Sequence, residues 1–337
     1  MSESQLHNSP STLHGKRVLV TGAGGFIGSH LAEHLATLGC NVTAFVHYRS
    51  RNPKAWLANS KASIKFVAGD IRDSLAVREA AQGCDVIFHL AALIGIPYSY
   101  KAPDSYVGTN ISGTLNVLQA ARELQTPRVV VTSTSEVYGS ALTVPILEVH
   151  PLQAQSPYSA TKIAADHLAE SYYKSFGLPV IIARPFNTFG PRQSARAIIP
   201  TVLSQLLAGE EKIRVGALSP TRDMNYVANT VEGFVACAVA NERCNGETYN
   251  FGSGTEHSIA ELIEMMMRVT NTHAEVLCDE ARIRPQKSEV ERLVSDSTKA
   301  KSELGWSAGV PLEEGLQKTA EWIQRHLHEF QVGEYSV

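Results

Sequence analysis

A glycine-rich turn close to the start of this 337-residue chain constrains its fold most strongly. An apolar run at residues 18–20 leads into Thr-Gly-Ala-Gly-Gly-Phe-Ile-Gly at 21–28, and a segment with leucines at helical spacing follows. This order predicts a strand, a tight turn and a helix, in which the glycines give unusual backbone angles, room for a pyrophosphate and close helix packing. A plain turn between strand and helix is the alternative, but the position after the first strand favours dinucleotide binding. The cofactor-binding residues expected in this turn are Gly22, Gly25, Phe26 and Ile27.

Apolar strand-like runs alternate with helical segments through the first half of the chain. The runs that follow the first one are residues 42–46, 64–67, 86–90, 129–131 and 180–183. Their alternation with helices predicts an α/β fold with a Rossmann-type, doubly wound parallel sheet. After residue 190 the strict alternation stops, which predicts a smaller mixed α/β substrate domain.

The boundary between the two predicted domains is not clean in the sequence. Residues 15–188 are expected to form the dinucleotide-binding domain and residues 189–330 the substrate domain. A strand at 247–251 is predicted to rejoin the first sheet. The two domains are therefore expected to be interleaved.

The residues after the second and third strands are expected to hold the adenosine part of the cofactor. An acidic residue after the second strand would select NAD over NADP, but the sequence offers His47 and Arg49 there. Arg49 can accept a 2′-phosphate or stack on adenine, so we expect NAD and leave NADP open. After the third strand, Asp70 and Ile71 are placed to contact adenine, with a surface turn as the alternative.

The end of the fourth strand and the helix after it complete the predicted cofactor site. Small residues at the strand end let a ligand lie close to the backbone, whereas His89 is interpreted as a structural residue. Asn110 begins the next helical segment, and a helix cap is the alternative to a cofactor contact there. The cofactor-binding residues expected in this part are Leu90, Ala91, Ala92 and Asn110.

Residues 131–162 have the composition of a proton-transfer site. The fifth strand should deliver Thr134 and Glu136 at its carboxyl end, where ligands bind in open α/β sheets. Tyr158 and Lys162 are four residues apart after Pro157, so both should project from one face of a helix. An ammonium neighbour lowers the pKa of a phenol from about 10, which would make Tyr158 a usable base near neutral pH.

Composition and charge exclude several classes of partner. The formal net charge is −3, and the chain has no dense basic block, which argues against nucleic acid. The five cysteines are scattered without a CxxC pair, which indicates reduced thiols and no metal site. Residues 1–14 lack the apolar core of a signal peptide, and no stretch approaches the ~20 apolar residues of a membrane span. We therefore expect a cytoplasmic protein with no nucleic-acid or membrane partner.

Taken together, these motifs resemble the extended short-chain dehydrogenase/reductases that act on nucleotide sugars. The resemblance covers most of the chain and rests on residues 21–28, Tyr158 and Lys162 with Thr134, residues 184–192 and residues 222–227. It implies that Tyr158 is the base for a sugar hydroxyl, that Lys162 holds the nicotinamide ribose, and that Thr134 bonds the sugar C4 oxygen. The substrate-binding residues expected from it are Ser133, Asn187, Arg192, Arg222 and Arg284. Asn187 is assigned to the sugar diphosphate, and the last two arginines are assigned to the nucleotide or pyrophosphate.

Residues 134–136 separate groups within this family. Sugar 4,6-dehydratases usually carry Thr-Asp-Glu, whereas this chain has Thr134, Ser135 and Glu136. That variant resembles UDP-glucuronate decarboxylases and also the NDP-N-acetylhexosamine 4,6-dehydratases typified by the bacterial legionaminic-acid pathway. Residues 150–158 and 284–293 look like the second group.

The resemblance predicts an activity and leaves alternatives. We expect a nucleotide-sugar substrate, an NDP-N-acetylglucosamine, to be converted to its 4-keto-6-deoxy form by the catalytic residues Thr134, Ser135, Glu136, Tyr158 and Lys162. A UDP-glucuronate decarboxylase, an NDP-sugar 4-epimerase and a non-catalytic dinucleotide-binding scaffold are the alternatives. The family also implies a homodimer, because helices beginning near Asn110 and Tyr158 pair across a two-fold axis in its members.

Overall fold

The computed structural model of the chain describes residues 13–48, 55–57, 60, 63–283 and 285–333. Its strands, in chain order, are β1 (Arg17–Thr21), β2 (Asn41–His47), β3 (Ile64–Gly69), β4 (Val86–His89), β5 (Arg128–Thr132), β6 (Val180–Pro185), β7 (Asn187–Phe189), β8 (Lys212–Val215), β9 (Thr221–Arg222), β10 (Met224–Tyr226), β11 (Thr248–Phe251), β12 (His257–Ser258), β13 (Glu275–Cys278) and β14 (Arg292–Leu293). Its α-helices are α1 (Phe26–Thr37), α2 (Ser74–Ala81), α3 (Ile96–Lys101), α4 (Pro103–Tyr106), α5 (Gly113–Glu123), α6 (Pro157–Phe176), α7 (Ile198–Leu207), α8 (Val227–Val239), α9 (Ile259–Thr270), α10 (Thr298–Leu304) and α11 (Leu312–Arg325).

Seven strands form one parallel sheet in the order β11-β6-β5-β4-β1-β2-β3. The order reverses between β1 and β4, and such a switch point opens a crevice at the carboxyl ends of the strands. The predicted α/β, Rossmann-type doubly wound sheet is therefore confirmed.

Alternate residues of each strand pack against helices on opposite faces of the sheet. On one face, Val20 and Phe88 lie in a core with Leu31 of α1 and Phe234 of α8. On the other face, Leu19, Ile87 and Val131 form a second core with residues of α2, α5 and α6. Both faces are apolar, as a fully buried parallel sheet requires.

Helix α6 carries the predicted catalytic pair and has well-defined ends. Ser156 and Ser159 form a capping box, Pro157 occupies the first turn, and Gly177 ends the helix with a φ of 68°. These signals fix the register of the helix, so Tyr158 and Lys162 lie in its first two turns.

The second half of the chain builds small sheets around α7, α9 and α11. These are the pairs β7 with β10 and β8 with β13, and the three-stranded sheet β12-β9-β14. The segment β11 returns to the large sheet and pairs with β6. The division at residues 188 and 189 stays a prediction. No helix in the described part of the chain is long and apolar enough to cross a membrane.

Candidate active site

The glycine turn packs directly against the end of β4. Gly22 has a φ of +71°, and a Cβ on it would lie 2.8 Å from the backbone nitrogen of Ala91. The Thr21 hydroxyl accepts hydrogen bonds from the amides of Leu90 and Ala91, each at 3.1 Å. The turn and the strand end that were predicted to share a cofactor therefore lie side by side, with the partly buried Ala92 following them.

The glycine-rich segment leaves the N-terminus of α1 accessible to a ligand. Gly25 is the N-cap and supplies no side-chain cap, so the first amides of the helix have no side-chain acceptor. Phe26 and Ile27 are the first two helical residues and are partly buried. A Cβ on Gly28 would lie 2.3 Å from the Gly22 carbonyl oxygen, so the turn needs glycine at residue 28.

An acidic residue with two basic neighbours lies at the adenosine side of the crevice. The Asp70 carboxylate pairs with Arg72 at 2.6 Å and faces Nε2 of His47 at 3.6 Å. The hydrogen bond from Arg72 is the main reason that the pKa of Asp70 falls to about 2. Arg72 was not predicted from the sequence. Arg49, which was predicted, lies outside the described residues.

The side chains of Ile71 and Asn110 have partners within the chain, and their predicted contacts with the cofactor stay predictions. The Ile71 side chain is 5% exposed and packs beside Gly113 of α5, so it belongs to the core. Asn110 lies in a π-helical turn and is not a helix cap. Its side-chain Oδ1 accepts from the Leu93 amide at 2.8 Å. Its Nδ2 donates to the Leu93 carbonyl and to the Thr161 hydroxyl, each at 3.0 Å. Its side chain therefore ties the loop after β4 to α6.

His89 is a neutral structural residue, as predicted. Its Nδ1 lies 2.9 Å from the Thr21 hydroxyl and its Nε2 lies 3.0 Å from the Thr114 hydroxyl. Burial, followed by the charge of Lys162, lowers the pKa of His89 to about 3. Because the Thr21 hydroxyl already accepts two amides, it donates to Nδ1, and Nε2 carries the proton of the ring.

The predicted catalytic residues meet at the carboxyl end of β5. Thr134 precedes a short 3₁₀ turn (Ser135–Tyr138), and its hydroxyl accepts from the Glu136 amide at 3.3 Å. Tyr158 reaches this turn from α6, is 7% exposed, and lies close enough to Thr134 for that side chain to lower the pKa of the phenol. The negative charge of Glu136 is close enough to act on the Tyr158 phenol. Three side chains with predicted catalytic roles are thus brought together.

The predicted effect of Lys162 on the Tyr158 phenol is not observed. Burial raises the pKa of Tyr158 above its ordinary value, and the bond with Thr134 lowers it by less. The Lys162 ammonium donates to the Thr132 carbonyl at 2.5 Å, and burial lowers its own pKa. The direction predicted for the pKa of Tyr158 is wrong because burial outweighs the other effects.

The two serines of this segment are buried. Ser133 was predicted to contact substrate. The residue is 3% exposed, and its hydroxyl donates to Asp166 at 2.6 Å. Ser135 is likewise buried at the start of the 3₁₀ turn. Ser133 therefore links the end of β5 to α6 through its hydrogen bond with Asp166.

Two predicted substrate-binding residues, Asn187 and Arg192, differ in whether their side chains already have partners in the chain. The side-chain amide oxygen of Asn187, Oδ1, is buried and accepts no hydrogen bond from any described residue. Arg192 donates to Ser29 at 3.2 Å and pairs with Glu33 at 2.7 Å, so its guanidinium joins the segment after β7 to α1. The predicted contact of Arg192 with substrate stays a prediction.

Arg222 is nearly buried and already has two protein partners. Its guanidinium pairs with Glu289 at 2.9 Å and donates to the Thr221 carbonyl at 2.9 Å. A diphosphate would therefore compete with Glu289 for this group. Arg284 lies outside the described residues.

Sequence reasoning missed two residues beside Tyr158. The Tyr106 ring meets the Tyr158 ring edge-on at 6.3 Å between centroids, and its hydroxyl donates to the Gly95 carbonyl. The Arg196 guanidinium lies near this tyrosine and lowers its pKa against the larger opposing effect of burial. Neither residue follows a sequence pattern of its own.

Comparisons with known proteins agree with this geometry. The sequence profile of the GDP-mannose 4,6 dehydratase family matches residues 19–319. UDP-glucuronic acid decarboxylase 1 of Xenopus tropicalis is 33% identical over 323 residues, which are 93% of this chain and 73% of that protein. dTDP-D-glucose 4,6-dehydratase of Mus musculus is 31% identical over 339 residues, which are 97% of this chain and 94% of that protein.

Solved structures show the same fold. The UDP-glucose 4-epimerase of Thermotoga maritima with UDP-glucose superimposes with a TM-score of 0.84 at 28% identity, over 92% of this chain and 99% of that one. MoeE5 in complex with UDP-glucuronic acid and NAD gives a TM-score of 0.83 at 32% identity, over 92% and 99% of the two chains. The names of these relatives cover three reactions. The chain therefore belongs to the extended short-chain dehydrogenase/reductase family of nucleotide-sugar dehydratases, decarboxylases and epimerases.

Proposed function

We propose that the protein is a nucleotide-sugar 4,6-dehydratase that converts an NDP-N-acetylglucosamine to its 4-keto-6-deoxy form with a tightly bound NAD. The observation that carries this proposal is the grouping of Thr134, Glu136 and Tyr158, which puts a carboxylate beside the phenol. An epimerase has no task for that carboxylate. The mouse relative named as a 4,6-dehydratase supports the same reading.

The glycine turn fits a dinucleotide. Side chains at Gly22 and Gly28 would collide with backbone, and Gly25 leaves the start of α1 uncapped, so a pyrophosphate can approach these amides. Two relatives of known structure, MoeE5 and a UDP-glucuronic acid 4-epimerase from Bacillus cereus, were solved in complex with NAD, which supports NAD as the cofactor. When bound, NAD supplies an acceptor for the C4 hydride and returns that hydride to C6.

The chain's own residues move the protons of this reaction. Tyr158 takes the proton of the C4 hydroxyl as the phenolate, the form that Thr134 favours and burial opposes, while Thr134 holds the C4 oxygen. The C4 ketone makes the C5 proton acidic, and Glu136 removes it as water departs from C6. Ser135 has no acidic proton to give, so Glu136 passes the proton gained from C5 to the leaving hydroxyl. C5 then takes a proton from solvent when the hydride arrives at C6. Asn187 is the proposed contact for the sugar diphosphate.

A UDP-glucuronate decarboxylase is the second candidate. The Xenopus relative supports it, and a decarboxylase needs a cation for the substrate carboxylate. Arg196 lies close to Tyr106 and Gly95, beside the Tyr158 ring, where a carboxylate could be held. The two candidates share oxidation at C4 and differ in what leaves the sugar.

Product masses from a panel of UDP-, GDP- and dTDP-sugars separate the candidates. We expect loss of water from an N-acetylglucosamine nucleotide, and Tyr158→Phe serves as the inactive control. Loss of carbon dioxide from the UDP-glucuronate sample would establish the decarboxylase instead. An unchanged mass with a new C4 configuration would establish an epimerase and end the proposal.

A further inference from the structure

The turn that follows β7 holds an arginine in a backbone conformation that favours glycine. The Gln193 amide donates to the Gly190 carbonyl at 3.3 Å, so Pro191 and Arg192 are the two central residues of a four-residue turn. Arg192 has a φ of 72°. A positive φ at the third residue of a turn ordinarily selects glycine or asparagine, and another residue type persists there when its surroundings hold it in place. The contacts of the Arg192 side chain are therefore the expected reason for its position.

The Arg192 guanidinium contacts two residues on one face of α1. Its Nη2 pairs with Oε2 of Glu33 at 2.7 Å, and its Nη1 donates to the Ser29 hydroxyl at 3.2 Å. The arginine and glutamate side chains are 17% and 27% exposed, and Ser29 is fully buried, so water competes little for these contacts. Hydrogen bonds between charged groups are stronger than those between neutral groups.

These contacts extend to the start of α1. The Ser29 hydroxyl, which accepts from Arg192, donates to the Phe26 carbonyl at 2.9 Å. Phe26 is the first residue of the helix, where the amides have no side-chain cap. A second bond joins the same two segments, because Nε2 of His30 donates to the Pro191 carbonyl at 2.9 Å. The turn at residues 190–193 and the first turns of α1 are therefore fixed to each other.

The other end of the same segment carries the proposed contact with the sugar diphosphate. Asn187 lies five residues before Arg192, and its Oδ1 is buried without a partner among the described residues. The Gln193 side chain donates to the Thr188 carbonyl at 2.9 Å, which holds the turn against β7. Residues 187–193 thus connect the proposed substrate contact to the helix that begins at the proposed pyrophosphate site.

We propose that Arg192 is a positioning residue that holds residues 187–193 against α1 and thereby keeps NAD bound between turnovers. It acts through Ser29 and Glu33 and needs no contact with the cofactor. Fixing the first turn of α1 before NAD arrives lowers the entropic cost of binding, which slows release of the bound cofactor. The inference rests on the proposed function only in the binding of NAD at the glycine turn, whichever product the enzyme forms.

The first test measures how long NAD stays on the protein and uses no sugar substrate. Holoenzyme loaded with radiolabelled NAD is chased with unlabelled NAD, and the retained label is counted over time. Arg192→Asn removes the guanidinium but supplies a residue type that tolerates a positive φ, so the midpoint of urea unfolding should stay close to that of wild type. NAD release should become about tenfold faster, the effect of losing one charge-assisted hydrogen bond.

The matched control breaks an ion pair on another sheet. Glu275 pairs with Lys212 at 3.0 Å between β13 and β8, which form a two-stranded sheet of their own. Glu275→Gln should release NAD at the wild-type rate. A lower urea midpoint in Arg192→Asn with unchanged NAD release would show that the arginine only stabilises the fold, and it would overturn the proposal.

The second test separates positioning from direct contact with the cofactor. Glu33→Gln keeps Arg192 and its turn, so it also decides the matter if Arg192→Asn does not fold. NAD release should be about threefold faster or more in this variant, and the double variant should be no faster than Arg192→Asn, because the two residues act as a unit. If the guanidinium held the NAD pyrophosphate directly, its release from Glu33 would leave the rate unchanged or slower, and the proposal would fail. Wild-type protein that retains no label would refute the tightly bound NAD of the proposed function as well, whereas retention that is equal in wild type and both variants refutes this inference alone.

Discussion

Glu136 belongs to the 3₁₀ turn, its charge acts on the Tyr158 phenol, and its proposed chemistry separates dehydration from oxidation. Glu136→Gln keeps the shape of the side chain but cannot accept a proton. We expect this variant to stop water loss while some C4 oxidation remains, with product formation reduced about 10²-fold or more. Solvent deuterium should enter C5 of the wild-type product and be absent from any product of the variant.

Glu148→Gln is the control for this variant, since it makes the same chemical change at a carboxylate bonded to the Asn250 amide. It should release product at close to the native rate. Native water loss by Glu136→Gln, or wild-type product without deuterium at C5, would remove Glu136 from its proposed role as base.

The low pKa of the buried His89 predicts that the protein loses stability in mild acid. Its pKa in the folded protein is about 3 against an ordinary 6.5, so the unfolded chain binds a proton first as pH falls. The contribution of His89 to the free energy of unfolding is therefore fully present above pH 6.5 and is lost as pH falls toward 3. From pH 7 to pH 5, this residue alone should lower the free energy of unfolding by about 2 kcal/mol.

Urea denaturation at the two pH values measures this effect. His89→Gln should be less stable at pH 7, because it loses a bond to Thr21 or Thr114, but its stability should change less with pH. His167→Gln, at an exposed side chain, should keep the wild-type pH dependence. An equal pH dependence in His89→Gln and wild type would contradict the prediction.

At the level of single residues, the sequence predicts contacts that follow from spacing. The four-residue interval of Tyr158 and Lys162 places both on α6, and the strand end brings Thr134 to the phenol. Arg192 and Ser133 could not be assigned in this way, since their partners Glu33 and Asp166 are distant in the sequence and are chosen by packing.

Helix α1 owes its position to close contact with the glycine turn, which makes Gly28 a sensitive residue. A Cβ there would lie 2.3 Å from the Gly22 carbonyl oxygen, so Gly28→Ala must move the helix or the turn. We expect a loss of about 1–3 kcal/mol in the free energy of unfolding and weaker NAD binding. Denaturant unfolding and isothermal titration with NAD measure the two effects.

The control is Gly309→Ala, because a Cβ at Gly309 would meet no atom within 4 Å. This variant should bind NAD as wild type does. Native stability and affinity in Gly28→Ala would show that the turn can accommodate a side chain.

Elements with strong periodicity were predictable, and short ones were not. The first six strands of the large sheet match apolar runs, with bounds shifted by one or two residues at most ends. The π-helical turn (Val107–Ser112) has no sequence signature, and its position depends on the bonds of Asn110 to Leu93 and Thr161. Strands of two or three residues, such as β9 and β12, form because packing brings them together and carry no period of their own.

The whole molecule is predicted to be a homodimer that pairs through α5 and α6. Tyr172 is 8% exposed and part of the core of its own chain, and Leu168 packs against that core. Val107, Leu115 and Phe176 lie on or beside α5 and α6 and have exposed apolar side chains, at 48%, 41% and 52%. Burial of these side chains between two copies would remove apolar surface from water.

Sedimentation velocity at micromolar concentration tests this assembly. Wild type should sediment with twice the 36.6 kDa mass of the chain, and Leu115→Glu should shift it toward monomer. Leu142→Glu changes a more exposed leucine, at 67%, on a loop away from α5 and should leave the mass unchanged. A wild-type monomer would contradict the prediction.

The predicted cofactor and catalytic residues lie at one edge of the large sheet, so the proposed reaction should be neutral in redox terms. The glycine turn of the large sheet and the strand-end residues Thr134, Glu136 and Tyr158 face the same crevice, so the hydride taken from C4 can return to the same sugar. We expect purified protein to form product with no added NAD, or with catalytic amounts only. Absorbance of reduced nicotinamide at the end of the reaction should not exceed the amount of enzyme, while product measured by mass spectrometry exceeds it many times. Because Tyr158→Phe cannot begin the cycle, it should show neither signal. Reduced cofactor that accumulates in step with product would instead indicate a net dehydrogenase, in which the C4 hydride leaves the site and C6 keeps its hydroxyl.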